Sequence, residues 1–439
     1  MKRKPRYVSG TLIVLVLLLV LSLGQADDSF KVGVARTDIT PSEATPMWGY
    51  SSRHDALSTG VLDPLYAIAM VVQSSGNKIV LVSLDLGRTP GRATLENIRR
   101  RIKTQTGIEY SFITATHTHH GPVLELSDAA GRGKGRFDAT LRYYSRLEEA
   151  IVGCVVQANL SLRMAKMGVR TAQLKDFNFN RQTLFEPTPN DRDLSLMRFD
   201  DLAGKPIAII VNFAVHPTIV PESVLKFSAD FVGVMRKATE EKTGAQVLFI
   251  QGAAGDEAPN DQNGQISYQK FGQDLAQEVI KLNSELETKE VPQPRLEVKE
   301  ARFTFAPRID LSDPPVRRRL NKLFYPELIA NYEDEYAKGI RPRLTVAMFN
   351  GDIAWVGVSG EFFSNHSLRL KERARLKHLL FMGYCNGYDQ YFPTIEAVAE
   401  GGYGTDEASA PVALGAGEEM MNTALIWLYE MRKKSAASP

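Results

Sequence analysis

Tyr110-Ser111-Phe112-Ile113-Thr114-Ala115-Thr116-His117-Thr118-His119-His120-Gly121-Pro122 runs from an apolar, strand-like segment into a histidine-rich end closed by a Gly-Pro turn signal. Three of the seven histidines fall within residues 117–120. In an extended segment alternate side chains share a face, so His117 and His119 are expected to point one way and His120 the other. Imidazole is the commonest metal ligand and titrates near neutral pH, so the stretch suits a ligand beside a proton-handling group. Solvated histidines at a polar strand end are the alternative.

The same punctuation recurs along the chain. Lys78 to Leu84, Ile207 to Phe213 and Gln246 to Ile250 read as buried strands, with helical stretches at about Thr94 to Thr104 and Asp230 to Thr243. Arg343 to Met348 and Ile353 to Val358 read as a hairpin about Asn350-Gly351, and an amphipathic helix at about Gly417 to Arg432 closes the chain. Such alternation predicts an α/β fold: a large layered domain with mixed β-sheets flanked by helices. No linker or short repeat divides it. The charged stretch from Pro314 to Lys338 reads as a solvated surface helix broken by proline.

The first 26 residues have the layout of a secretory signal peptide: basic Lys2, Arg3, Lys4 and Arg6, an apolar run from Thr11 to Leu23, and small residues at Gly24-Gln25-Ala26. An uncleaved anchor is the alternative, and the expected location is secreted, periplasmic or cell-envelope. The whole chain has 53 Lys+Arg against 51 Asp+Glu, a net +2; without the four basic residues of this segment the balance is 49 against 51, or −2. Near-neutrality gives no electrostatic case for nucleic acid. Residues 27–439 are long enough to build a core without disulfides, and Cys154 sits in an apolar helical stretch and reads as core packing.

Functional groups of α/β proteins gather where strands end. Here the runs lead into Ala214-Val215-His216-Pro217, Gln251 to Asn260, Ser359-Gly360-Glu361 and Gly383 to Tyr391. Each has a plain structural reading: His216 as a hydrogen-bonded core histidine, Glu361 as a helix cap. No Lys-Ser/Thr follows Gly252 to Gly255, which excludes a Walker-type loop, and neither a His-Glu-x-x-His nor a Gly-x-Ser-x-Gly motif occurs.

Several ordered segments resemble the neutral/alkaline (non-lysosomal) ceramidases, zinc-dependent amidases that cleave ceramide to sphingosine and fatty acid. They are Val34 to Pro41 with Trp48-Gly49-Tyr50, Thr116 to His119 with Gly121-Pro122, Phe179-Asn180-Arg181, Asn212 to His216, Ser228-Ala229-Asp230, Gly360-Glu361-Phe362 and Asn386 to Tyr391. The resemblance implies His117, His216, Glu361 and Tyr391 as ligands of one Zn2+. It places His119 on the family's proton-handling histidine, and Arg181 and Tyr403 on groups that hold the substrate amide oxygen. The implied reaction is amide hydrolysis by zinc-activated water.

Ala258 stands where ceramidases carry a serine once proposed as nucleophile, and His120 stands where they usually have serine. The sequence continues only briefly past the catalytic region, so a short, bacterial-type member without the family's C-terminal immunoglobulin-like domain is expected. The implied partner is a lipid or other N-acyl small molecule, with peripheral membrane contact and no protein partner. Two readings compete. One is a metal hydrolase of an N-acyl sugar, peptide or phosphoester, the last using Asp38, Asp85, Asp230 and Asp256. The other is a non-catalytic envelope binding protein on the same fold.

Overall fold

The computed structural model describes residues 29–126, 131–183 and 185–437. The expected signal segment therefore lies outside the described residues. Among these, no helix is long and apolar enough to cross a membrane.

The chain builds the same small unit three times. In the first, β1 (Phe30–Asp38), β2 (Tyr66–Ser74) and β3 (Asn77–Leu84) form an antiparallel meander. Helix α1 (Arg92–Thr106) then crosses over to β4 (Tyr110–Ala115), which pairs parallel to β3. Helix α2 (Asp138–Leu160) leads to the second unit, where β5 (Arg163–Gln173) is followed by a short β6 (Asn178–Asn180). There β5, β7 (Asp193–Asp201) and β8 (Pro206–Phe213) form the meander, and α3 (Asp230–Thr243) crosses to β9 (Gln246–Gln251), parallel to β8. After β10 (Glu257–Pro259), α4 (Tyr268–Ser284) and the two-residue β11 (Lys289–Glu290) comes the third unit, which opens with β12 (Leu296–Arg302). Two helices, α5 (Pro314–Leu320) and α6 (Pro326–Tyr336), interrupt it before β13 (Arg343–Phe349) and β14 (Ile353–Val358) complete the meander. A short β15 (Glu361–Phe362) and α7 (Ser364–Ala374) lead to β16 (His378–Met382), parallel to β14. The chain closes with β17 (Tyr391–Phe392), α8 (Ile395–Glu400) and α9 (Ala416–Ala437).

The first two units join edge to edge through β1 and β5 into one sheet ordered β4-β3-β2-β1-β5-β7-β8-β9, with β11 paired to β5. The third unit forms its own sheet, β12-β13-β14-β16. The two-residue side-chain period of strands explains how they stack. In β2, Ile68, Met70 and Val72 face inward and pack, with Phe112, Met197, Ile210 and Leu248, against Trp355, Leu380 and Met382 of the small sheet. The alternate residues Ala67, Ala69 and Val71 face outward under α1 and α2. Helices α3 and α4 cover the other half of the large sheet, and α9 covers the outer face of the small one. The result is a four-layer α/β sandwich with mixed sheets. It places the C-terminal ends of all three parallel strand pairs side by side. Asn212 Nδ2, for instance, donates to the carbonyls of Ile250 and Phe381, tying the second unit to the third at 2.9 and 2.8 Å.

The 314–338 segment departs from its expectation. It is two helices, and they wall a cavity. Part of its charge faces solvent, with Arg317 paired to Glu333 at 2.9 Å, while Leu320, Leu328, Ile329 and the carboxylate of Glu335 are buried.

Candidate metal centre and active site

Four ionisable side chains meet where the strand ends converge, and they come from three different parts of the fold. His117 and His119 follow β4, His216 follows β8, and Glu361 opens β15 after β14. The extended alternation expected for His117 to His120 is absent. Strand β4 stops at Ala115, and His117 adopts a left-handed backbone with φ 71°. Such a conformation is uncommon for a side-chain-bearing residue and collects at functional sites. Tyr384 and Gln390, in the loop facing it, share the feature, with φ of 54° and 65°. His117 and His119 still converge, Nε2 to Nε2 at 3.4 Å, but through this turn rather than through a strand face. His120 turns away, its Nε2 lying 2.6 Å from Arg53 Nη2.

Gly49 makes room for His119. Its φ is +110°, and a Cβ there would lie 2.6 Å from the His119 side chain. Trp48 and Tyr50 pack edge-on against the same imidazole, with ring centroids 5.1 and 4.9 Å away. Gly87 is equally constrained, since a Cβ would come within 2.1 Å of the Trp48 ring.

His117 Nδ1 lies 2.6 Å from the carbonyl oxygen of Gly87, and His216 Nδ1 lies 3.1 Å from that of Glu257. A carbonyl only accepts, so both Nδ1 atoms carry the proton and both Nε2 atoms present lone pairs. Those Nε2 atoms are 3.0 Å apart, and each is 3.3 Å from Glu361 Oε2. Three electron-rich atoms in a buried triangle repel one another unless a cation lies among them. Zinc bonds of about 2.0–2.1 Å in a tetrahedron set neighbouring ligand atoms about 3.3–3.4 Å apart, which matches this triangle. The donor set therefore fits a zinc ion. His117, His119 and His216 offer ligand atoms that all lie within 4.8 Å of one another. Geometry alone thus makes His119 a second route to a fourth ligand, alongside Tyr391.

Burial, reinforced by the charge of Arg181, pushes His216 down to about 3. Burial, then His117 and His216, holds His119 well below its ordinary range, so it is neutral at physiological pH. The Glu361 carboxylate is buried beside both imidazoles. Glu361 is further fixed by the Tyr388 hydroxyl on Oε1 and the Tyr384 hydroxyl, 3.3 Å away, on Oε2.

Arg181 sits beside this group. Its Nη2 is 3.0 Å from His216 Nε2 and donates to the Gly255 carbonyl at 3.0 Å and the Tyr391 hydroxyl at 3.3 Å. Tyr403 stacks its ring on the guanidinium, 4.1 Å from Cζ to centroid, and places its hydroxyl 3.4 Å from that of Tyr391. Tyr391 pairs in register with Glu361. The structure thus brings all seven sequence-predicted residues into one neighbourhood. The reading of Glu361 as a helix cap fails: α7 starts at Ser364, and the carboxylate points to the histidines. The four aspartates of the phosphoesterase reading are spread over local structural duties. Asp85 pairs with Arg236 at 2.6 Å, Asp230 accepts from three backbone amides, Asp256 from Ser364 and Asn180, and Asp38 from Thr40. Sequence reasoning assigned no role to Tyr384, Tyr388 or Trp48, although all three lie in motifs it singled out.

The cluster opens into a cavity of about 500 Å³. His119, Glu361, Tyr391 and Tyr403 line it, together with Leu320, Phe324, Leu328 and Ile329 of the α5–α6 segment.

Residues 30–273 match the family described as neutral/alkaline non-lysosomal ceramidase, N-terminal. The chain belongs to this family. Among relatives of this ceramidase-family chain, neutral ceramidase A of Dictyostelium discoideum is 26% identical over 261 residues, covering 53% of this chain and 36% of that protein. Neutral ceramidase 1 of Arabidopsis thaliana is 25% identical over 285 residues, covering 59% and 35%. The match thus spans about a third of the length of these relatives. The crystal structure of neutral ceramidase from Pseudomonas aeruginosa superposes with a TM-score of 0.74 at 20% identity, covering 93% of this chain and 75% of that one. The ceramidase fold therefore extends past the matched sequence into the third unit.

Proposed function

We propose that the protein is an exported, zinc-dependent amidase that hydrolyses the N-acyl linkage of ceramide-like sphingolipids to a sphingoid base and a fatty acid. The observation that carries this reading is the triangle of His117, His216 and Glu361 donor atoms beside a cavity that Glu361 lines together with apolar residues of the α5–α6 segment. Family membership supplies the substrate class.

His117, His216, Glu361 and Tyr391 would hold the ion, which when bound supplies Lewis acidity and acidifies a water molecule. The remaining work falls to the chain's own residues. Arg181, kept charged by Tyr391, Tyr403 and Glu361 in spite of burial, donates to the oxygen of the scissile amide as negative charge develops there. Tyr403 supplies a second donor from the solvent side. His119 takes up a proton and delivers it to the departing amine. The apolar wall binds the acyl chain, and exposed Leu323 and Tyr403 suit contact with a lipid surface.

A panel of N-acylsphingosine, N-acyl sugar, peptide and phosphoester substrates, offered to the purified protein, tests this assignment. Release of fatty acid from N-acylsphingosine in preference to the others is expected. Turnover of only another class would move the substrate, and turnover of none would favour the binding-protein reading.

A further inference from the structure

Behind the site lies a buried charge cluster that the reaction does not use. Arg88 follows Gly87, whose carbonyl fixes His117, and is 1% exposed. Its Nη1 is 3.5 Å from Glu125 Oε1 and 3.3 Å from the Tyr332 hydroxyl, and its Nη2 is 3.5 Å from Glu335 Oε1. Both Tyr332 and Glu335 belong to α6, the cavity wall. Burial works against the Arg88 charge, but Glu335, Tyr332 and Glu125 outweigh it.

From Arg88 two contacts lead to the donor triangle. In one, its guanidinium lies over the ring of Tyr388, 5.0 Å from the centroid, and the Tyr388 hydroxyl donates to Glu361. In the other, Glu125 accepts from Trp48 Nε1 at 2.8 Å, and the Trp48 ring packs on His117 and His119 at 5.0 and 5.1 Å. One buried cation therefore touches the wall of the cavity on one side and, directly at Tyr388 and by way of Glu125 at Trp48, reaches the supports of the ligand cluster on the other.

We propose that Arg88 is a positioning residue that couples the seating of α6 to the geometry of Glu361 and His119. It touches neither ion nor substrate. The inference rests on the zinc reading above. A cluster of this kind is sensitive to the loss of its cation, because two buried carboxylates then lose the positive charge that balances them. Arg88→Met therefore risks unfolding. Arg88→Lys keeps the charge but loses the planar fork that reaches Glu125 and Glu335 at once. Outer-shell partners of metal ligands typically contribute about 10–100-fold to metal affinity.

The test is zinc affinity by chelator competition, with near-UV circular dichroism as the folding control, followed by kcat and KM on N-acylsphingosine. Folded Arg88→Lys is expected to bind zinc about tenfold more weakly and to show a raised KM. Glu335→Gln, which loosens the hold of the wall on Arg88, is expected to raise KM and, through the coupling, to weaken zinc binding in the same direction as Arg88→Lys; a raised KM with parental zinc affinity would overturn the coupling. In a Tyr388→Phe background the effect of Arg88→Lys on zinc is expected to shrink, since the contact through Tyr388 to Glu361 is already broken. Arg88→Lys with parental zinc affinity and KM would overturn the coupling while leaving the zinc site intact. An effect on zinc fully retained in the Tyr388→Phe background would overturn the Tyr388 route. A parent chain that takes up no zinc would overturn both this inference and the reading it rests on.

Discussion

His119 is the residue on which two accounts of the site diverge. Its Nε2 lies 3.4 Å from His117 Nε2, close enough to share an ion, yet the same position lets it pass a proton to a departing amine. The proposed role predicts that His119→Ala keeps one zinc per chain and loses about 10²–10⁴ in kcat, the usual range for general acid–base help. Metal analysis of the purified variant decides the matter: loss of zinc would make His119 a ligand and free Tyr391 from that role. Arg181→Ala is expected to cost about 10²–10³ in kcat, as removal of one oxyanion donor does. If its effect falls on KM alone, Arg181 binds the substrate and does not stabilise the transition state. The candidate residues of this site were reached through the resemblance, and most of them sit at strand ends in its motifs, whereas Tyr403 follows α8 and their mutual geometry was not legible. Nothing in Thr116 to His120 announces the left-handed turn at His117, which only Gly87, Trp48 and the facing Tyr384 loop impose.

At the scale of elements, α5 and α6 turned from expected surface helices into a cavity wall. Charge dominates that stretch in composition, whereas burial is decided by the spacing of its few apolar residues and by what they meet. Leu323 is 45% exposed at the cavity mouth, so Leu323→Lys removes apolar surface there with little loss of core packing. Its KM for long-chain N-acyl substrates is expected to rise roughly tenfold, the scale of burying one leucine, with a short soluble substrate unaffected. An equal effect on both would place the acyl chain elsewhere. The N-terminus of α3 carries a second prediction. Burial raises Asp230 to about 7, against opposing hydrogen bonds from Val220, Phe231 and Ile219. With the folded value above the unfolded one, its protonated form contributes stability that is present below the ordinary aspartate range and is lost as pH rises through about 7. The melting temperature of the parent is therefore expected to fall relative to that of Asp230→Asn between about pH 4 and pH 7. Parallel curves for the two chains would show that Asp230 is ionised throughout.

Across the whole molecule, three copies of one meander-plus-crossover unit each deliver part of the site from the end of a parallel strand pair. The individual strands were readable as apolar runs, because a strand buried on both faces needs apolar residues at nearly every position. The threefold recurrence was not readable. The units share a pattern of pairing and no common sequence motif, and the contacts that join them, such as β1 with β5, form between residues more than a hundred positions apart. The site exists only once all three units have docked, and its candidate ligands come from all of them. The proposed export would place this assembly outside the cytoplasm, and N-terminal sequencing of secreted material is then expected to start near Asp27; material beginning at Met1 would show a retained anchor. The most direct test of the account is fatty-acid release from N-acylsphingosine by the purified protein, measured by mass spectrometry before chelation, after chelation and after return of one equivalent of zinc. The account predicts release, its loss on chelation, and its recovery with zinc. Release that persists in metal-free protein would contradict it.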